Sequence, residues 1–158
     1  MKFIFLSIFL IISNNIFSSQ IDDIRNLYVQ SSNSLENAVK LQKLTKDLIF
    51  SDDPFNKNSE KIFKNPNISG YLASSFFLIA KNSKNIFLKF KNFEIGKFIL
   101  EKLILNFPDN LELIILRNNI QKNCPKALNY DDSLVHDIFF IEKNIHLFDN
   151  LKMLTNVR

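Results

Sequence analysis

A chain of 158 residues with only two glycines, Gly70 and Gly96, and four prolines has few places where its backbone can turn sharply. Sandwiches and barrels need a turn signal about every 8–12 residues, whereas helices joined by short polar linkers need far fewer. The apolar spacing agrees: it recurs at three and four residues and nowhere alternates long enough to make a strand. The chain is therefore expected to be all-α. It should form a single compact helical bundle or hairpin array with tetratricopeptide-like helix pairs, six to seven helices after an N-terminal signal segment. A composition 46% hydrophobic, with 17 phenylalanines, supplies the core of one domain of this size.

Ile21, Ile24, Leu27 and Tyr28 mark a first helix. Ser34 can cap a second, whose apolar face holds Leu35, Ala38, Val39, Leu41, Leu44, Leu48 and Ile49. Residues 51–67, with Asp52-Asp53-Pro54 and Asn65-Pro66-Asn67, are expected to be a loose loop. A third helix from about Ile68 to Lys81 is apolar on most sides and belongs at the centre of a bundle. Phe93 to Phe107 is the clearest helix, and Pro108-Asp109-Asn110 stops it and starts the next, with Asp109 as cap. Leu111 to Lys122 and about Asp131 to Lys143 follow, and Ile145, Leu147, Phe148, Leu151 and Leu154 mark a weaker last helix.

The first residues read as an export signal. Lys2 precedes an apolar run from Phe3 to Ile12, and polar residues begin at Ser13. That run falls short of the roughly 20 residues that span a bilayer. The expected division is residues 1–18 as signal peptide and 19–158 as one helical domain, periplasmic or secreted. Because no charge intervenes before Asp22, an uncleaved inner-membrane anchor over residues 1–17 is the alternative. No cysteine follows the apolar run to take a lipid anchor.

The net charge of +4 is unevenly placed. Residues 57–102 carry nine lysines against Glu60, Glu94 and Glu101, whereas residues 109–149 carry seven acids against four bases. This asymmetry could suit an acidic partner or a lipid headgroup surface, although it also fits a solvated surface shaped by codon bias. The scattered lysines do not point to nucleic acid. Cys124, alone beside Pro125, reads as a small buried side chain. His136 and His146 each follow a carboxylate by four residues, Asp132 and Glu142, but the two pairs are separated by a break at Asn144 and do not make a convincing metal site. No nucleophile lies at a recognisable spacing from a base, and there is no phosphate-binding glycine loop. No cofactor or catalytic residue is expected.

Two polar residues do stand out. Arg117 lies between Leu113, Ile114 and Ile120, and Asp137 between Leu134, Phe140 and Ile141. A charge on an apolar stripe needs a partner, since an unpaired buried ion costs several kcal/mol. The economical reading pairs Arg117 with Asp137 across the fifth and sixth helices, with Gln121, Asn123 and Tyr130 joining the polar cluster.

One segment resembles a tetratricopeptide repeat. Gly96 stands where that repeat wants a small residue, with Leu100 and Leu103 at its packing positions and Pro108 as its closing proline. Gly96 is thus expected at a close helix crossing. More of the chain is similar to an uncharacterised family of small exported helical proteins of Bacteroidetes-type bacteria. The residues that carry the likeness are Ile24-Arg25, Leu27-Tyr28, Gly70-Tyr71, Phe93 with Gly96, and Pro108 with Asn110 and Glu112. Arg117, Ile120-Gln121, Asn123, Pro125, Tyr130, Asp137 and Phe140-Ile141 complete it. The resemblance implies export and a helical fold, and brings no activity with it. The expected function is a non-catalytic scaffold for an unknown protein partner. The alternative is a small periplasmic ligand carrier or enzyme with a pocket near Arg117, Tyr130, His136 and Asp137.

Overall fold

The fold is organised around two helices buried on nearly every side, α4 (Pro66–Asn82) and α6 (Leu111–Asn123). The computed structural model describes residues 20–50, 60–155 and 157, so the expected signal segment and most of the expected 51–67 loop lie outside the described residues. Before α4 come α1 (20–30), α2 (Leu35–Phe50) and the single turn α3 (Lys61–Lys64). After it come α5 (Ile86–Asn106), α6, a 3-10 turn at Lys126–Leu128 and α7 (Leu134–Asn144). The tail coils in 3-10 turns at Ile145–Leu147 and Asp149–Leu154. Among the described residues there is no strand. The all-helical expectation holds.

Local chemistry sets the ends of these elements. The Ser34 hydroxyl accepts from the Asn37 amide at 3.2 Å and caps α2. Asn85 caps α5, its side-chain oxygen accepting from Phe87 N at 2.9 Å and Leu88 N at 3.2 Å. Asn110, not the expected Asp109, caps α6 by accepting from Leu113 N at 3.2 Å. The described end of the expected loop also differs: α3 lies within it, and α4 begins at Pro66 instead of Ile68. Proline opens a helix without penalty, because a first-turn amide has no partner to lose. Similarly, α5 starts well before Phe93 because the Asn85 cap satisfies its first amides.

Two apolar clusters meet along α4 and α6. One gathers Ile24 and Tyr28 of α1, Ala38 and Leu41 of α2, Tyr71 and Leu72 of α4, Ile115 and Leu116 of α6, and Leu151 and Leu154 of the tail. The other joins Ala73 and Phe77 of α4 with Phe93, Leu100 and Leu103 of α5, Leu113 of α6 and Tyr130.

Both glycines of the chain lie at close crossings of α4. A Cβ on Gly70 would stand 2.5 Å from Leu113 Cδ2 of α6. One on Gly96 would stand 2.9 Å from the Ala73 carbonyl oxygen and 2.8 Å from the Phe77 ring. Ala73 and Gly96 lie nearly equally far from the 83–85 turn, so α4 and α5 form an antiparallel hairpin that closes on these small residues. Gly96→Leu should overpack this seam and lower stability by about 1–3 kcal/mol. Urea unfolding of the variant measures it, and an unchanged midpoint would refute the close crossing.

Candidate functional site

Charges on α6 reach partners to either side. The Arg117 guanidinium donates from Nε to Asp137 Oδ2 at 2.8 Å and from Nη2 to Oδ1 at 2.7 Å, a two-pronged pair joining α6 to α7. Asp137 is 0% exposed. The third prong, Nη1, donates to Glu101 Oε2 of α5 at 3.0 Å, and the Tyr130 hydroxyl donates to Glu101 Oε1. Burial works against the charge on Arg117, but hydrogen bonds and the charge of Asp137, then Glu101, outweigh it and raise its pKa. Tyr130 is thus linked to Arg117 through Glu101, a residue that sequence reasoning did not single out.

Two residues expected in this cluster make no hydrogen bond to the pair. The Asn123 amide donates to Asn119 O at 2.7 Å and towards Val157 O at 3.5 Å, so it secures the chain's end, not the charge pair. Gln121 is buried, and its Oε1 has no hydrogen-bond partner among the described residues. Asn123, six places beyond Arg117, is rotated about 240° from it around the helix, whereas Gln121, four places on, shares its face one turn away without bonding to the pair. His136 stands outside the seam at 75% side-chain exposure, with Nδ1 3.6 Å from Asp137 Oδ1. Among the described residues no group of His, Cys, Asp or Glu is arranged to hold a metal ion.

A second buried network ties α6 to α1 and α4. Glu112 Oε1 accepts from Arg25 Nε at 2.8 Å and from the Tyr71 hydroxyl at 2.6 Å. Its Oε2 accepts from Arg25 Nη2 and from Asn67 Nδ2, both at 2.8 Å. Asn110 in turn donates to Asn67 Oδ1 at 2.8 Å, and Arg25 Nη1 donates to Asp22 at 2.7 Å. Hydrogen bonding to Glu112 raises the Arg25 pKa further above its ordinary range. The criterion that marks Arg117 and Asp137, a charge inside an apolar stripe, applies equally to Arg25 beside Ile24 and to Glu112 within Leu111–Leu116.

Arg117 and Asp137 meet in a closed seam, 8% and 0% exposed. The Arg25–Glu112 network instead borders an open cavity of about 410 Å³, lined also by Asn67, Asp109 and Asn110. A second space, a groove of about 430 Å³, lies between α4, α5, α6 and the turn that follows α6. Its walls include Phe77, Leu78, Phe93, Ile120 and Leu128, and among the described residues its charged lining is Lys81 and Lys89. Phe77 and Phe93 meet edge to face at 5.4 Å, and Tyr130 stacks behind Phe77 at 6.0 Å, which makes this wall stiff. Cys124 also lines the groove. Burial, with Asp131 nearby, raises its pKa and keeps the thiol protonated, which does not suit a nucleophile. The arrangement can take up apolar surface.

No family model, no curated protein and no solved structure matches this chain.

Arg117→Leu leaves Asp137 buried without its counter-charge and should destabilise the fold by about 3–5 kcal/mol, with most of this recovered in Arg117→Leu combined with Asp137→Leu. Urea unfolding of both variants decides; equal losses would mean that Asp137 does not depend on Arg117. The chain's three tyrosines, Tyr28, Tyr71 and Tyr130, give a second expectation. Burial raises the pKa of each, that of Tyr28 to about 12, with Glu112 adding to the effect at Tyr71 and Glu101 at Tyr130. A phenol whose folded pKa is raised stabilises the fold fully below its unfolded pKa near 10 and loses that contribution as pH rises through the folded value. For Tyr28 the loss runs from about pH 10 to about 12 and amounts to roughly 2–3 kcal/mol. Phenolate absorbance should therefore appear together with loss of helical circular dichroism. Tyrosine ionisation in a still-folded protein near its ordinary pH would contradict this.

Proposed function

We propose that this protein is an exported, non-catalytic interaction scaffold that receives an amphipathic, acid-flanked segment of a partner protein in the groove between α4, α5 and α6. The observation that carries the reading is the groove itself: an apolar trough whose charges, among the described residues, are those of two lysines. An apolar face laid into such a trough is a recurrent mode of helix recognition. Lys81 and Lys89 would favour carboxylates beside that face. Export rests on the character of residues 1–18. The likeness of the α4–α5 hairpin to a tetratricopeptide unit, and of the chain to the exported Bacteroidetes-type family, belongs to the same proposal.

The alternative of a ligand carrier or enzyme built on Arg117, Tyr130, His136 and Asp137 draws less support. Arg117 and Asp137 satisfy each other in a closed seam, and His136 lies outside it.

Cys124 provides the test, because a segment seated in the groove should cover it. A synthetic helix with a leucine face and glutamate flanks is expected to slow Cys124 alkylation in the intact protein. A lysine-flanked counterpart should not. Ala127 lines the groove at its exposed rim. Ala127→Glu should weaken the protection about tenfold, equivalent to about 1.4 kcal/mol, without moving the unfolding midpoint. Equal protection by both peptides, or by neither, would overturn the reading.

A further inference from the structure

The turn joining α4 to α5 exposes more apolar surface than a folded chain ordinarily leaves at one point. Ile86 is 69% exposed, Phe87 82%, Leu88 49% and Phe90 59%. Successive helical residues are rotated by about 100°, so Ile86, Phe87 and Leu88 together sweep about 200° around the first turn of α5. A partner's groove covers one side of a helix. Side chains spread this widely are buried together only by a medium that surrounds the tip.

The charges that the hairpin itself carries near its tip have one sign. Lys81, Lys84 and Lys91 are exposed and Lys89 is half-buried, and no Asp or Glu occurs anywhere from residue 61 to residue 93. The backbone of the tip is also prepared to leave water. Asn85 accepts from the Phe87 and Leu88 amides, the Ser83 hydroxyl accepts from Asn85 N at 3.2 Å, and Lys89 N donates to Asn85 O at 2.9 Å. With the amides of Asn85, Phe87, Leu88 and Lys89 satisfied, the apolar tip can enter a lipid interface while stranding few donors there.

We propose that the α4–α5 hairpin tip docks on the surface of a membrane containing anionic lipid, with Ile86, Phe87, Leu88 and Phe90 entering the headgroup–acyl boundary and the four lysines meeting the lipid charges. Such insertion is shallow, about 5–10 Å. No helix among the described residues is long and apolar enough to cross a membrane, so the contact made through them is peripheral. Ile86, Phe90, Lys81 and Lys89 also line the groove, but Phe87, Leu88, Lys84 and Lys91 do not, so the inference goes beyond the groove reading and does not rest on it.

The chain contains no tryptophan, so Phe87→Trp in the full-length protein places a single fluorophore at the tip. Its emission should shift to the blue with vesicles of equimolar phosphatidylcholine and phosphatidylglycerol, and much less with phosphatidylcholine alone. Adding Lys84→Gln should lower the partition coefficient about fivefold, the effect of one lysine at an anionic surface. High salt should weaken binding in the same direction. Phe87→Ser, followed by vesicle sedimentation, should reduce binding about tenfold or more. Val135→Trp, at an 81% exposed site on α7, should show no shift. An equal shift at position 135, binding indifferent to Lys84→Gln and Phe87→Ser, or no shift at position 87 would each overturn the proposal. So would a shift that grows with protein concentration without vesicles, since the tip would then be a contact between copies of the chain.

Discussion

Everything in this structure depends on how α6 carries charge through a core. A helix buried on nearly all sides holds Glu112 and Arg117, and neither can remain charged there without a close counter-ion. Each is met by a two-pronged partner from a different part of the chain, Arg25 from α1 and Asp137 from α7. Glu112 accepts four hydrogen bonds, which fills the capacity of a carboxylate. Fork-to-fork pairing fixes direction as well as distance. Sliding α1 or α7 by one residue along α6 would strand a charge, so these pairs select one register among packings that apolar contacts alone would tolerate.

The second constraint is the narrowness of α4. It passes between two apolar clusters, and on its buried surfaces it places Ser69, Gly70, Ala73, Ser74 and Ser75. Ser74 donates to the Gly70 carbonyl at 2.9 Å and Ser75 to Leu72 at 2.6 Å, so these hydroxyls are satisfied within their own helix and pack as small residues. That slenderness lets α5 and α6 approach together. The apolar groove lies farther along, where Phe77 and Leu78 replace the small residues and hold the neighbouring elements apart.

The fold class was legible because it follows from averages: scarce turn-formers, apolar residues at helical spacing, and asparagine or serine where helices begin. Arg117 and Asp137 stood out for a local reason, each being a charge inside an apolar stripe. Other features depend on three-dimensional direction, which spacing does not convey. Asn123 and Gln121 are near Arg117 in number, yet Asn123 turns towards the tail and Gln121 joins none of the pair's hydrogen bonds. Glu101 joins from the preceding helix, 16 residues before Arg117, and does not differ in pattern from a surface glutamate. The start of α4 was misjudged because Asn65-Pro66-Asn67 is equally good chemistry for a loop and for a helix that opens on proline.

The Arg25–Glu112 pair also bears on the order in which the molecule assembles. Its partners are 87 residues apart, against 20 for Arg117 and Asp137. Closing the longer loop costs about 1 kcal/mol more in chain entropy, and contacts of such separation form slowly. The α4–α5 hairpin is local and can close as soon as both helices exist. Translation runs the other way: α1 emerges before α6, and until α6 has been synthesised Arg25 has only the exposed Asp22 within its own helix as counter-charge. Through that interval Ile24 and Tyr28 lack the core that will bury them, leaving α1 as a surface open to a chaperone.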